Sequence, residues 1–208
     1  MSDLAYRVAG PSDQSALAGL DDSFTTDYVY EVAAGDIGFG LRLVPVDPPL
    51  VKVFPDDGDA GEAATGAHDA GSTGSAGSTG NAVITDDAAA GPDEAGVHEI
   101  VAVDSDGSLR GFVAVAHERW NRRLVVRQIT VDSAHRGRGI GGELMRRALA
   151  HGRAVGARTA WLEVTSVNVP AVRAYRRMGF RLCGLDTTLY TGTASEGETA
   201  LFMARPLD

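Results

Sequence analysis

The chain has 208 residues, 44% of them hydrophobic, which suits one domain of ordinary size, or one domain with an insert or tail. No apolar run nears the roughly 18–20 residues of a membrane span, and the N-terminus MSDLAYRVAG lacks the basic-then-apolar pattern of a signal peptide. Cys183 is the single cysteine, which excludes an internal disulfide or a cysteine zinc cluster. The expectation is a soluble cytoplasmic protein without a metal, with Cys183 as a small buried hydrophobe.

The net charge of −9 is uneven. Nine acids (Asp56, Asp57, Asp59, Glu62, Asp69, Asp86, Asp87, Asp93 and Glu94) lie in 56–96 with no Lys or Arg, while Arg119–Arg181 holds 14 arginines against Asp132, Glu143 and Glu163. A basic half suits a polyanion, either nucleic acid or a phosphorylated cofactor. The arginines lack aromatic interleaving, which argues against nucleic acid. The stretch 56–96 is rich in Gly, Ser, Ala and Asp and has little to bury, so it is expected to be a disordered insert within a single domain spanning 1–208.

In chain order, Tyr6–Val8 reads as a short strand, and Ser12 as the cap of a helix reaching about Leu20. YVYEVA (28–33) and FGLRLVPV (39–46) read as strands, the second ended by the proline pair that follows. HEIVAVDSDGSLRGFVAVAHE is a hairpin around Asp-Gly, and LVVRQITVD (124–132) is another strand. Ile140, Leu144, Ala148 and Leu149 recur at helical spacing. TAWLEV (159–164) is a strand, PAVRAYRRM (170–178) a helix with Pro at its start, and LYT and TALFMARP are strands near the end. Runs of strands around a strand–helix–strand–helix unit predict an α+β fold, a mixed and mostly antiparallel sheet flanked by helices on both faces.

Between strand and helix lies HRGRGIGGELM, with Gly137, Gly139, Gly141 and Gly142. A strand–Gly–helix junction turns backbone N–H groups and a helix dipole outward, which suits an anion, and a Cβ there would hold the anion off. A P-loop needs a Lys after its glycines, and none follows. A GxGxxG dinucleotide fingerprint matches Gly137, Gly139 and Gly142. However, four residues separate it from the strand, and too little chain follows for that fold. A third pattern is Arg136-x-x-Gly139-x-Gly141, followed by Asn168-x-Pro170-Ala171-x-x-x-Tyr175-x-x-x-Gly179-Phe180.

The two motifs of that third pattern, in this order, resemble the GNAT superfamily of acetyl-CoA-dependent N-acetyltransferases. SFTTD (23–27), VPVDPPLVKVFPDD (44–57), WNRRL (120–124), WLEVTSVNVPAVRAYRRMGFRLCGLDTTLY (161–190) and GTASEGETAL (192–201) resemble, more narrowly, the streptothricin (nourseothricin) acetyltransferases. The resemblance implies that acetyl-CoA is the cosubstrate. Its diphosphate would be held by Arg136, Gly137, Arg138, Gly139, Ile140, Gly141 and Gly142, and its arm would pair with Ile129, Thr130 and Val131. Asn168, which could also cap the next helix, would contact the cofactor. Tyr175 would be the acid that protonates the leaving thiolate.

The implied acceptor is a cationic amine, in that group the β-lysine amine of the antibiotic. An alkylammonium must lose a proton before it can attack. Glu163, set among Leu162 and Val164 on the opposite face of its strand, is the candidate acid. Asp21, Asp22, Asp27 and Asp186 are further candidates for a cationic pocket. One departure stands out: Arg127-Gln128 occupies the strand where that group carries an acidic pair. Another amine, a protein N-terminus or a non-catalytic acyl-CoA sensor are the rival readings. The protein is expected to act as a monomer or homodimer, with no nucleic acid and no membrane.

Overall fold

The computed structural model describes residues 4–53 and 96–208. Strand β1 (Ala5–Val8) leads into a 3-10 turn at Pro11–Asp13 and a short helix α1 (Gln14–Leu17). Two long strands, β2 (Phe24–Ala34) and β3 (Phe39–Lys52), form a separate antiparallel ribbon. Then come β4 (His98–Val103), β5 (Leu109–Glu118), β6 (Arg123–Val131), α2 (Ile140–Ala154), β7 (Thr159–Thr165), α3 (Val169–Arg177), β8 (Arg181–Asp186) and β9 (Ala200–Pro206). The main sheet has seven strands in the order β1-β4-β5-β6-β7-β9-β8. All its pairs are antiparallel except β6–β7, the pair joined by the crossover through α2. The mixed, mostly antiparallel sheet expected from the sequence is therefore present.

Alternation along the strands sorts the core into two layers. Ile100, Ala102, Val113, Val115, Leu124, Val126, Leu162 and Val164 face α2 and α3, where Leu144, Met145, Ala148, Leu149, Val172 and Tyr175 complete one buried cluster. Val101, Val103, Leu109, Phe112 and Ala114 face the other way, toward Leu17 and Leu20 at α1. Helices thus lie on both faces.

Four sequence expectations differ from the structure. Ser12 does not cap a long helix: Asp13 takes the Gly10 N–H at 2.7 Å and the Arg7 guanidinium at 2.6 Å, and the α-helix stops after four residues. The proline pair does not end β3, which runs to Lys52. Residues 46–49 are looped out between the pairs Tyr28–Pro45 and Thr26–Leu50, so Pro48 and Pro49 owe no N–H to the ladder. LYT is a turn, not a strand, and the missing strand is RLCGLD (β8), at the sheet edge. Cys183 sits on that edge strand and is exposed rather than buried. The insert expected at about 56–96 falls, save its last residue, outside the described residues, as does the VFPDD stretch beyond Val53.

Candidate active site

The sheet opens between β6 and β7. These strands pair only from Arg123–Thr159 to Val125–Trp161. β6 then runs six residues further and β7 four, with no pairing between them. The register of β6 on β5 explains the divergence: Ala114 faces Gln128 while Val115 faces Val126, so Arg127 is one residue extra, a bulge that bends β6 away from β7. β6 stays clamped to β5 beyond the bulge. At Gly111 an added Cβ would sit 2.7 Å from the Thr130 carbonyl oxygen, so the two backbones approach as only glycine permits.

A cleft of about 590 Å³ lies against the unpaired end of β6. One wall is β6, through Ile129, Thr130 and Val131; another is the glycine turn, through Arg136, Gly137, Gly139, Ile140, Gly141 and Gly142. α3 supplies Pro170, Ala171, Ala174, Tyr175 and Arg177, with Asn168 and Met178 at its two ends; Asp22 comes from the segment before β2 and Phe24 from the first position of β2.

The glycine turn is built as the sequence suggests. Asp132 accepts the Ala134 N–H at 2.8 Å and starts a 3-10 turn, Ser133–His135. The chain then passes through Gly137 (φ +75°) and Gly139 (φ +87°) into α2. Nothing lies within 4 Å of where a Cβ would stand at Gly137, Gly139 or Gly142. The first turn of a helix leaves its N–H groups without intrahelical acceptors, and here they front an open cleft wall. This bare concavity fits an anion such as a phosphate group.

The two arginines of the turn point elsewhere. Arg136 gives Nε to the Val131 carbonyl at 2.9 Å, Nη2 to that of Asp21 at 3.1 Å and Nη1 to that of Ser23. It ties the end of β6 to the segment before β2. Arg138 turns back to the Ala134 carbonyl at 3.4 Å and does not line the cleft. Asn168 caps α3 by accepting the Ala171 N–H at 3.1 Å, and it also lines the cleft.

Tyr175 enters the cleft from α3 with 2% exposure, edge-on to Phe180 at 6.0 Å between ring centroids. Burial, and then the charge of Glu163, push its phenol above the usual range. Glu163 is 5% exposed on β7, on the face away from Leu162 and Val164. It accepts the Tyr190 hydroxyl at Oε1. Burial pushes its carboxyl up to about 7, the Tyr190 bond pulls it down, and Glu198 pushes it up. Glu163 does not line the cleft beside the glycine turn, yet its charge reaches Tyr175. The two therefore approach the parting of β6 and β7 from opposite faces of the sheet.

The other acids divide. Asp22 lines the cleft. Asp21 accepts the Ser23 N–H at 3.0 Å, and Ser133 and Ser23 hold its carboxyl below the usual range. Asp27 is exposed on β2, outside the cleft. Asp186 is committed to a turn, accepting the Thr188 N–H and hydroxyl at 2.7 Å each. Sequence reasoning missed Tyr190, Glu198 and Lys52, whose cluster around Glu163 forms only when β3 and the segment before β9 meet.

Residues 79–180 match the acetyltransferase (GNAT) family. The streptothricin acetyltransferase of Streptomyces lavendulae is 50% identical over 97% of this chain and 94% of its own. This chain belongs to the GNAT acetyltransferases. The solved structure of a nourseothricin acetyltransferase is 47% identical, covers 99% of both chains and superposes with a TM-score of 0.78. A Bacillus anthracis str. Ames structure in complex with acetyl coenzyme A shares the fold at 19% identity, with a TM-score of 0.68 over 98% of this chain and 99% of that one. The chain is an acetyl-CoA-dependent N-acetyltransferase. Among the described residues, no helix is long and apolar enough to cross a membrane.

Proposed function

We propose that this acetyltransferase inactivates streptothricin-class antibiotics by acetylating a primary amine, that of the β-lysine part. The observation that carries the reading is the near full-length relation to the Streptomyces lavendulae streptothricin acetyltransferase. The proposed setting is the cytoplasm, as a monomer or homodimer, without nucleic acid or membrane.

Acetyl-CoA supplies the activated acetyl thioester. The backbone N–H groups of 137–142 hold its diphosphate. The edge of β6 at Ile129, Thr130 and Val131 takes its arm, since no described strand pairs with that edge past Val125. Asn168 contacts the carrier while capping α3. In this structure Arg136 contributes by fixing the cleft wall rather than by its charge, and Arg138 contributes only backbone. Tyr175, kept protonated by burial, gives its proton to the departing thiolate. Glu163 takes the proton of the acceptor ammonium. A carboxyl near 7 is ionised often enough at neutral pH to do so, and basic enough to hold the proton. Asp22 adds negative charge at the mouth. Asp27 and Asp186 would require the antibiotic to reach beyond the cleft.

The departure at Arg127-Gln128 favours a second reading, acetylation of another amine, because Arg127 brings a positive charge to the strand beside the acceptor. Thiol release from acetyl-CoA by purified protein, with and without streptothricin, separates the two. Fast, drug-dependent release with one acetyl gained is the expected result. Release with other amines alone would overturn the antibiotic assignment, and binding without release from any amine would leave a sensor.

A further inference from the structure

Glu163 belongs to a polar cluster on the face of the sheet away from α2 and α3. The 13 residues between β8 and β9, 187–199, fold over this face and bring Tyr190 to Glu163. The segment is braced internally: Thr193 bonds the Tyr190 carbonyl through its N–H at 3.1 Å and its hydroxyl at 2.8 Å. It is also braced externally, where Glu198 accepts Thr165 of β7 and Lys52 of β3, and Lys52 reaches Ser195 at 3.0 Å. A tyrosine held at both its backbone and its hydroxyl is a rigid arm.

On the reading of Glu163 as proton acceptor, we propose that Tyr190 is a positioning residue for the acetyl transfer. By donating to Oε1 it fixes the carboxylate and leaves Oε2 as the oxygen that receives the proton. In that step an N–H bond of the ammonium breaks, an O–H bond forms at Oε2, and the amine nitrogen keeps the electron pair with which it attacks. The proton passes to solvent when product leaves.

The groups that face Glu163 define its titration. Tyr190 and Glu198 come from the 187–199 segment, with Lys52 of β3 standing behind Glu198, and the Glu163 charge in turn reaches Tyr175 of α3 across the sheet. The Tyr190 bond favours the ionised carboxylate; burial and the Glu198 charge oppose it. Without Tyr190 the carboxyl should hold its proton to higher pH.

The test is Tyr190→Phe in the full chain, with kcat/KM for the amine followed across pH. The acid limb should move to higher pH, with a loss of about tenfold at pH 7 that shrinks as pH rises, and the acetyl-CoA KM should stay within about twofold. An unmoved limb, or an equal loss at every pH, would overturn the proposal. Repeating the substitution in Glu163→Gln adds a readout that a merely structural role would not give. There Tyr190→Phe should cost nothing further, and an undiminished loss would again overturn it. If Glu163→Gln alone keeps full activity, the proton-acceptor reading itself fails. If Glu163→Gln is inactive but the Tyr190→Phe limb is unmoved, the Tyr190 role alone fails.

Discussion

Burial acts on Tyr175 and Glu163 in the same direction and yields complementary chemistry. Both lose hydration of their charged forms, so both hold protons more tightly than usual. For a phenol, already protonated at neutral pH, this only secures the donor. For a carboxyl it turns a weak base into one poised near 7. Tyr175→Phe removes the donor and keeps the ring against Phe180, so kcat should fall by roughly 10² while the acetyl-CoA KM changes little. A kcat near wild type in steady-state assays would assign thiolate protonation to solvent or another group.

At the scale of elements, the cleft results from two departures from regularity: the extra residue in β6 at Arg127, and the left-handed glycines that enter α2. Gly139→Glu meets both objections to a side chain there. Its φ of +87° is costly for any residue with a Cβ, and a carboxylate would stand in the open space fronting the helix N-terminus. The acetyl-CoA KM should rise at least about tenfold, by the loss of one to two charge-assisted hydrogen bonds. An unchanged KM in initial-rate assays would remove the loop from the binding site.

Much of this level was legible in the sequence. Four glycines between a Val-rich strand and a 3.6-residue apolar period announce the turn, and Asn168-x-Pro170 announces the start of α3. What was not legible depends on contacts distant in sequence. The bulge is set by register on β5, and no residue of β6 signals it. β8 was missed because this edge strand carries exposed Arg181, Leu182 and Cys183, with no alternation to read. Leu189–Tyr190–Thr191 looks like a strand by composition, but Thr193 and Glu163 hold it as a turn. Arg136 reads as a phosphate ligand; the sequence does not show that three backbone carbonyls from two segments converge on its guanidinium, which makes it a strap as well as part of the cleft wall.

Over the whole molecule, the site opposes the stability of the fold that carries it. Asp13 and Glu143, paired with arginines and held to about 2, contribute stability that is present above ordinary carboxyl values and lost as pH falls toward 2. His151, stacked 3.8 Å from His98 and held below its ordinary 6.5 by burial and by His98 and His117, favours the fold above that value and is lost as pH falls through its folded value. Glu163 runs the other way. Its folded value, raised from 4.5 to about 7, means that its contribution is fully present below 4.5 and disappears as pH rises through 7. At the pH where the carboxylate can accept a proton, the protein therefore holds a buried charge that the unfolded chain would hydrate. Glu163→Gln keeps the shape and removes that charge, so its Tm relative to wild type should climb between pH 6 and pH 8 even as activity is lost. Melting curves of the two proteins at both pH values decide it. A Tm difference independent of pH would mean that Glu163 does not titrate in this window, and would take with it the neutral-pH proton acceptor.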